Sequence, residues 1–422
     1  MNERAGSFKT RVGLVLLLAF GLRLSAAIWW DARLADEQRF AFGDSESYWV
    51  LAERIASGKS YEYGVGGARA FRTPGYPLVL ALLFAVDDSP AVMWARSLGA
   101  CFGTLAVGGV IWITQQLFTR RAALVAGLLA ALYPGAIGMS VFVLSEAPFC
   151  PLMLAQLAAW IAAFRAASSR RAAWLALLAG LLAGLATLVR PSWLLFTPFA
   201  WAIAITCFAE RKRQLLIGVA LAVGIVTAML PWWVRNHQVT GALTLTTTQL
   251  GASLYDGWNA QATGASDMRF VDDFFRQQQQ ADAAGPQPPT GAFEVRLDKR
   301  MRDAAVRWAK SDPGRVVQLA AIKFARMWSP WPNAAEFQSW LFRLVICGGY
   351  LPLSVLSVGG AVRFARHNWP AALCAIPAVY FTCLHVIFVS SIRYRQPAML
   401  VLIVLAAGLI DTWWTKKTSS DE

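Results

Sequence analysis

The feature that most limits what this chain can become is a succession of apolar runs, most near 20 residues long, joined by short connections that hold much of the basic charge. A helix of that length matches the hydrocarbon core of a bilayer. A backbone in lipid must also satisfy its own polar groups, which helices do internally. Such runs lie near 12–30, 91–118, 122–144, 146–164, 173–189, 192–209, 215–233, 341–362, 370–390 and 397–414. The fold class they predict is an all-α polytopic membrane protein with about ten transmembrane helices. Composition agrees: 57% of the 422 residues are hydrophobic and 15% charged, at a mean hydropathy of +0.45, too apolar for a soluble domain of this size.

The net charge of +14 would suit nucleic acid if it were pooled on one polar domain, but its location writes topology instead. With Arg4, Lys9 and Arg11 on the cytoplasmic side, alternation places Arg120-Arg121, Arg165 with Arg170-Arg171, Arg211-Lys212-Arg213, Arg363 with Arg366, and Lys416-Lys417 on that side too. The outer side then receives 31–90, the turns at 144–146 and 190–192, the long interval 234–340 and the turn at 391–396. The first run reads as a retained anchor. The six cysteines show no CxxC spacing and read as small buried hydrophobes, and the Trp pairs 29-30, 232-233 and 413-414 read as interfacial anchors. Three regions follow: 1–233, a transmembrane module with the first outer loop; 234–340, an outer loop region; and 341–422, the C-terminal transmembrane helices.

The outer side carries its own elements. Helical spacing predicts a helix over 44–58 that stops at Gly58. The apolar stretch 77–86 is too short to span and reads as a helix at the outer leaflet. Residues 235–264, rich in Thr and Gly, suggest extended segments and turns. Residues 276–291, with a Gln run and GPQPPTG, suggest a mobile loop. An amphipathic helix is predicted over 293–311. Asp312-Pro313 would open a second one reaching about Trp328, with Lys323 and Arg326 at a headgroup surface.

Two acids and several arginines stand out on this side. Asp44 could be an N-cap, Glu46 a first-turn dipole partner, and Glu146 a first-turn acid behind a Ser145 cap. Arg72, Arg190, Arg235, Arg393 and Arg395 lie at the outer ends of apolar segments, where one alone would be a snorkelling anchor. Several on one face are better explained by a bound anion, because guanidinium pairs bidentately with phosphate. A carboxylate beside such a cluster suits proton removal from an attacking hydroxyl as a phosphate departs.

GDSESYWVLAERIASGKSY, RTPGYPLVLALLFA, LSEAPF, LVRPSW, PWWVRNHQVTGALTLTTTQLG, DGWNAQATG and RYRQPAMLVLIVLAAGL occur in that order over about 12–414. This ordered set resembles the GT-C fold glycosyltransferases that use polyprenyl-phosphate sugars: family 39, of protein mannosyltransferases, and the lipid A aminoarabinose transferases. The resemblance implies an active site at the outer surface, with Asp44 as catalytic base and Glu146 as the second acid. Arg72 stands in for a lysine that contacts the lipid phosphate, and Arg235, Arg393 and Arg395 join it as phosphate-binding candidates. Glu46, Tyr48, Tyr76, Arg190, Asn236 and Tyr394 are candidates for substrate contact.

The implied activity is inverting transfer of a sugar from a polyprenyl-phosphate donor to a lipid, glycan or protein hydroxyl, at the outer face of a bacterial cytoplasmic membrane. A transporter or flippase of a lipid-linked precursor is the alternative, and a structural subunit the blandest reading. No cofactor is firmly implied: His237, His367 and His385 are far apart in the chain, while a divalent cation between Asp44 and Glu146 stays open.

Overall fold

The computed structural model describes residues 2–34, 39–40, 42–64, 66–285, 290–332, 337 and 339–420, with side chains from 6 to 415. The described residues are 79% helical and contain no strand. The N-terminal part contains α1 (Asn2–Asp31), α2 (Gly43–Ala56), α3 (Gly75–Phe84), α4 (Val92–Leu117), α5 (Arg120–Leu132) and α6 (Pro134–Val141). Next come α7 (Glu146–Arg165), α8 (Ser169–Val189), α9 (Phe196–Cys207) and α10 (Arg211–Thr240). The long connection holds α11 (Leu250–Gly257), α12 (Val271–Ala284), α13 (Phe293–Ser311) and α14 (Pro313–Met327). The chain closes with α15 (Trp340–Phe364), α16 (Trp369–Ile387) and α17 (Ile392–Ser420).

Among the described residues eight helices are long and apolar enough to cross a membrane, nine if a bent pair counts as one. This is a multi-pass membrane protein, with fewer full-length spans than the ten apolar runs. The run at 122–144 is the bent pair: α5 and α6 meet at 55° on either side of Tyr133. Pro134 has no N–H, so the carbonyl of Ala130, four residues earlier, loses its helical donor. Arg23, 1% exposed, supplies the replacement from α1. Its Nη2 donates to Ala130 O (3.1 Å) and its Nη1 to Ala131 O (3.3 Å) and Ala19 O (3.1 Å). Arg23→Met is therefore expected to cost about 3 kcal/mol, since two buried carbonyls lose their donor. Thermal unfolding in detergent measures this, and an unchanged midpoint would remove the assignment.

The run at 192–209 is also shorter than read, a 3₁₀ turn (Pro191–Trp193) followed by the 12-residue α9. It still carries the chain along the bundle. Arg190, capping the end of α8, lies at the first residue of α7, whereas Arg213, in the first turn of α10, donates to Ala163 O (3.3 Å) and Ala166 O at the other end of α7. The helices α8 and α10 then run backbone to backbone: a Cβ at Gly180 would strike the Leu221 carbonyl, and one at Gly224 the Leu177 carbonyl.

The connection between α10 and α15 departs furthest from the sequence reading. Residues 235–240 continue α10 and 250–257 form α11, while 241–249 and 258–264 are turns and irregular loop, so the expected turns are present but the extended segments are not strands. The Gln run lies in α12 rather than in a loop, while 286–289 fall outside the described residues. The turn assigned to 391–396 is the first turn of α17. By contrast α13 occupies 293–311 as expected, and Asp312 caps α14, accepting a hydrogen bond from Arg315 N (3.0 Å). α2 ends one residue before its Ser57 cap, with Gly58 at φ +65° beyond it. Lys323 is not at a headgroup surface. It is fully buried and donates to Gly257 O (2.9 Å) and Ile387 O (2.7 Å), because burying an ammonium requires acceptors. Burial lowers its pKa to about 8, against the opposing pull of Asp256. Cys150 and Cys374 are buried, but Cys101, Cys207 and Cys383 are exposed on apolar helices, where lipid would cover them.

Candidate active site

The site is assembled from four helix ends and one loop. Asp44 is the second residue of α2, Glu146 the first of α7, Arg393 the second of α17, and Arg190 the residue that ends α8. Three helix N-termini therefore meet here, and their free N–H groups favour negative charge. Arg72 arrives on the loop before α3.

These five form one chain of alternating charge. Arg72 Nη2 donates to Asp44 Oδ1 (2.6 Å), and Arg393 Nη2 donates to Asp44 Oδ2 (3.1 Å). Arg393 Nε lies 2.7 Å from Glu146 Oε1, and Arg190 Nη1 lies 3.0 Å from the same oxygen. Three guanidiniums face two carboxylates, leaving a net charge of one positive. Around them, Ser47 Oγ accepts from Arg72 Nε (3.0 Å), and Arg190 Nη1 reaches Ser145 Oγ (3.4 Å). Tyr394 sits beside both Arg393 (5.2 Å) and Arg190 (5.7 Å), and Tyr48 beside Arg72 (5.0 Å).

The capping explanations for the acids do not hold. The residue before α2 is Phe42, and Asp44 accepts its side-chain hydrogen bonds from the two arginines. Ser145 makes no cap bond either, its hydroxyl being turned to Arg190. Exposure separates the two carboxylates. The Asp44 side chain is 37% exposed and open to a ligand, whereas that of Glu146 is 1% exposed and meets only protein. Burial alone would raise the pKa of Asp44, but the charges and hydrogen bonds of Arg72 and Arg393 outweigh it and hold the carboxyl well below its usual range.

Other candidates lie apart from this cluster. Arg235 donates to Arg69 O (2.6 Å) and Tyr61 O (3.2 Å), and Tyr61 in turn donates to Arg72 O (3.1 Å), so Arg235 shapes the loop that carries Arg72. Asn236 is buried and pins the next turn through Thr244 O (2.9 Å). Arg395, one residue past Tyr394 and fully buried, points to the far side of α17. It donates to Met327 O (2.9 Å) and Ser329 O (2.5 Å) and covers Tyr350. Glu46 is exposed with no ion pair among the described residues, and Tyr76 is buried against Tyr48 (5.2 Å between ring centres).

Sequence reasoning passed over Ser47, Phe42, whose ring lies 5.7 Å from the Arg393 guanidinium, and the role of His385. Ser47 was reachable, since it lies three residues after Asp44 on the same helix face. His385 stacks on Tyr394 at 4.1 Å and 3°, with Nδ1 2.8 Å from Val389 O, so Nδ1 carries the proton. No sequence signal pairs positions on two different helices in this way. Among the described residues no three His, Cys, Asp or Glu gather as a metal site. The guanidinium of Arg393 occupies the place between Asp44 and Glu146 that a divalent ion would need, so these residues do not fit one.

No protein-family model matches the chain, and no curated protein matches it. Solved structures do. The archaeal oligosaccharyltransferase AglB from Archaeoglobus fulgidus, in complex with an inhibitory peptide and a dolichol-phosphate, aligns at a TM-score of 0.58 and 15% identity, covering 98% of this chain and 51% of that one. The apo form of the Archaeoglobus fulgidus oligosaccharyltransferase gives 0.58 and 16%, covering 97% and 52%. ArnT from Cupriavidus metallidurans bound to undecaprenyl phosphate gives 0.48 and 15%, covering 96% and 78%. The chain spans about half the length of the oligosaccharyltransferase chains. The likeness establishes the GT-C fold that the motif order had implied.

Proposed function

We propose that this GT-C protein is an inverting glycosyltransferase that moves a sugar from a polyprenyl-phosphate donor to an acceptor hydroxyl, at the outer face of a bacterial cytoplasmic membrane. The observation that carries this reading is the exposed Asp44 carboxylate held between two guanidiniums in a cluster with one net positive charge. The AglB structure with dolichol-phosphate bound lends the same fold to a polyprenyl-phosphate ligand.

A donor phosphodiester carries one negative charge, which the cluster would neutralise. The acceptor oxygen attacks the anomeric carbon from the face opposite the phosphate. As that bond forms, the bond from the anomeric carbon to the phosphate oxygen breaks, and Asp44 takes the proton of the acceptor hydroxyl. The leaving polyprenyl phosphate gains a second negative charge, which Arg72 and Arg393 stabilise. No protein acid is needed, because a phosphate leaves as a stable anion. Glu146, out of reach of any acceptor, holds Arg393 and Arg190 in place. Arg235 acts through the Arg72 loop, while Tyr48 and Tyr394 line the cations.

The test is transfer of label from a panel of polyprenyl-phosphate sugars by the purified protein in lipid, with and without a chelator. Transfer that survives chelation is expected. Loss restored by a divalent ion would place a metal where Arg393 stands, and lipid translocation without sugar transfer would replace the reading with a transporter.

A further inference from the structure

A second concentration of charge takes no part in the Asp44 cluster. The helices α12 and α13 enclose an open cleft of about 620 Å³, within the usual size of a small-ligand site. One wall is a stripe along α13: Arg296, Lys299, Arg300, Asp303 and Arg307, spaced three or four residues apart apart from the adjacent Lys299 and Arg300. The facing wall on α12 brings the amides of Gln277 and Gln278 and the ring of Phe274, which packs against Tyr255 at 4.8 Å.

Most of this positive charge is not neutralised by protein. Arg296 is committed to Asp282 (2.6 Å) and to Gly291 O. Arg300 bonds to the neutral Gln277 Oε1 at 3.2 Å. Lys299 and Arg307 make no ion pair among the described residues, and neither does Asp303. Three cations without an ion-pair partner among the described residues, Lys299, Arg300 and Arg307, thus face one carboxylate. Arg296 and Arg300 are also four residues apart, a like-charge spacing that weakens a helix on its own. The opposite side of α13 is the packed one: Met301 and Ala305 are buried, and Asp298 accepts from Gly251 N (2.6 Å). The basic stripe is therefore not what holds the helix down.

We propose that this cleft binds a phosphate-bearing saccharide, its cations meeting the phosphate, its amides the hydroxyls and its aromatic ring the apolar face of a sugar. The cleft is tied to the Asp44 site. Glu294, at the start of α13, accepts from Arg69 N (2.9 Å), Ala70 N (3.0 Å) and Thr248 Oγ1 (2.8 Å), two residues before Arg72. On the glycosyl-transfer reading, a phosphorylated glycan acceptor would dock beside the loop that carries Arg72; the binding itself does not depend on that reading.

Calorimetric titration of the full chain in phosphatidylcholine nanodiscs with phosphorylated maltohexaose tests it, unphosphorylated maltohexaose being the control. The triple variant Lys299→Gln, Arg300→Gln, Arg307→Gln leaves the packed face of α13 untouched, which an unchanged thermal midpoint checks. Affinity for the phosphorylated sugar is expected to fall roughly tenfold per cation removed, and the salt dependence to flatten. Repeating the titration in phosphatidylglycerol nanodiscs separates the sources of phosphate. Competition there that disappears in the triple variant assigns the cleft to lipid headgroups, and its absence assigns it to a soluble glycan. Equal binding of the two sugars, or equal binding by the variant, overturns the proposal. Asp44→Asn is expected to keep this binding, so failure of the transfer reaction and failure of the cleft read out separately.

Discussion

Asp44→Asn is expected to lower turnover roughly 10²- to 10⁴-fold, the range contributed by a general base, while the affinity for a polyprenyl-phosphate sugar changes little. Asparagine keeps the shape and one acceptor oxygen for Arg72 or Arg393 but cannot take a proton. The resting geometry adds a condition. A carboxylate held by two guanidiniums well below its usual range is a weak base, so the free protein has Asp44 ionised but poorly suited to its task. A donor phosphate between Arg72 and Arg393 would compete for those same N–H groups and return Asp44 towards ordinary basicity. Two pH profiles check this. The acid limb of kcat/KM, which reports the free protein, is expected to lie below the usual carboxylate range; the limb of kcat, which reports the complex, is expected to lie at higher pH, closer to that range. The signs follow from a folded pKa that is depressed when free and raised by the competing anion. Superimposed limbs would show that the donor does not displace the arginines, and retained turnover in Asp44→Asn would remove the base assignment altogether.

The membrane-spanning pattern and the meeting of Asp44, Arg72, Glu146, Arg190 and Arg393 at one end of the bundle were legible because hydropathy and basic connectors fix which loops share a side. What alternation could not resolve was direction within a turn. Arg393 and Arg395 bracket Tyr394 and read alike in sequence, yet the α17 helix, starting at Ile392 rather than after a turn, sends one to Asp44 and the other to Met327 O. The same effect moved Arg235 and Asn236, since α10 runs on through Pro231 to Thr240. Thr-rich 244–248 looked extended, but its carbonyls at 245 and 246 accept the indole N–H groups of Trp233 and Trp232 (both 2.8 Å), so side chains and not strands satisfy that backbone. Lys323 misled for another reason. Amphipathic spacing marks a cation as surface-facing, and only the tertiary structure supplies the carbonyls that make its burial tolerable.

Arg393 joins the two carboxylates, and its removal should be the costliest single change in the site. Arg393→Met leaves Glu146 buried with Arg190 as its remaining partner and leaves Asp44 with Arg72 alone. Each carboxylate therefore keeps one guanidinium, and what is lost is one charge-assisted hydrogen bond on each, about 1.5–3 kcal/mol apiece. Adding Glu146→Gln would then leave the buried Arg190 without its carboxylate, so the double variant is expected to be less stable still. That order separates two roles one arginine could have. If Arg393 only held the site together, turnover would track the thermal midpoint across the single and double variants. If Arg393 also meets the departing phosphate, turnover falls in Arg393→Met well beyond what its thermal midpoint accounts for, because Asp44 and the donor lack the cation between them. Arg393→Lys sharpens the distinction: a lysine keeps the charge but cannot present Nε to Glu146 and Nη2 to Asp44 at the same time, so its activity should fall between those of the wild type and Arg393→Met.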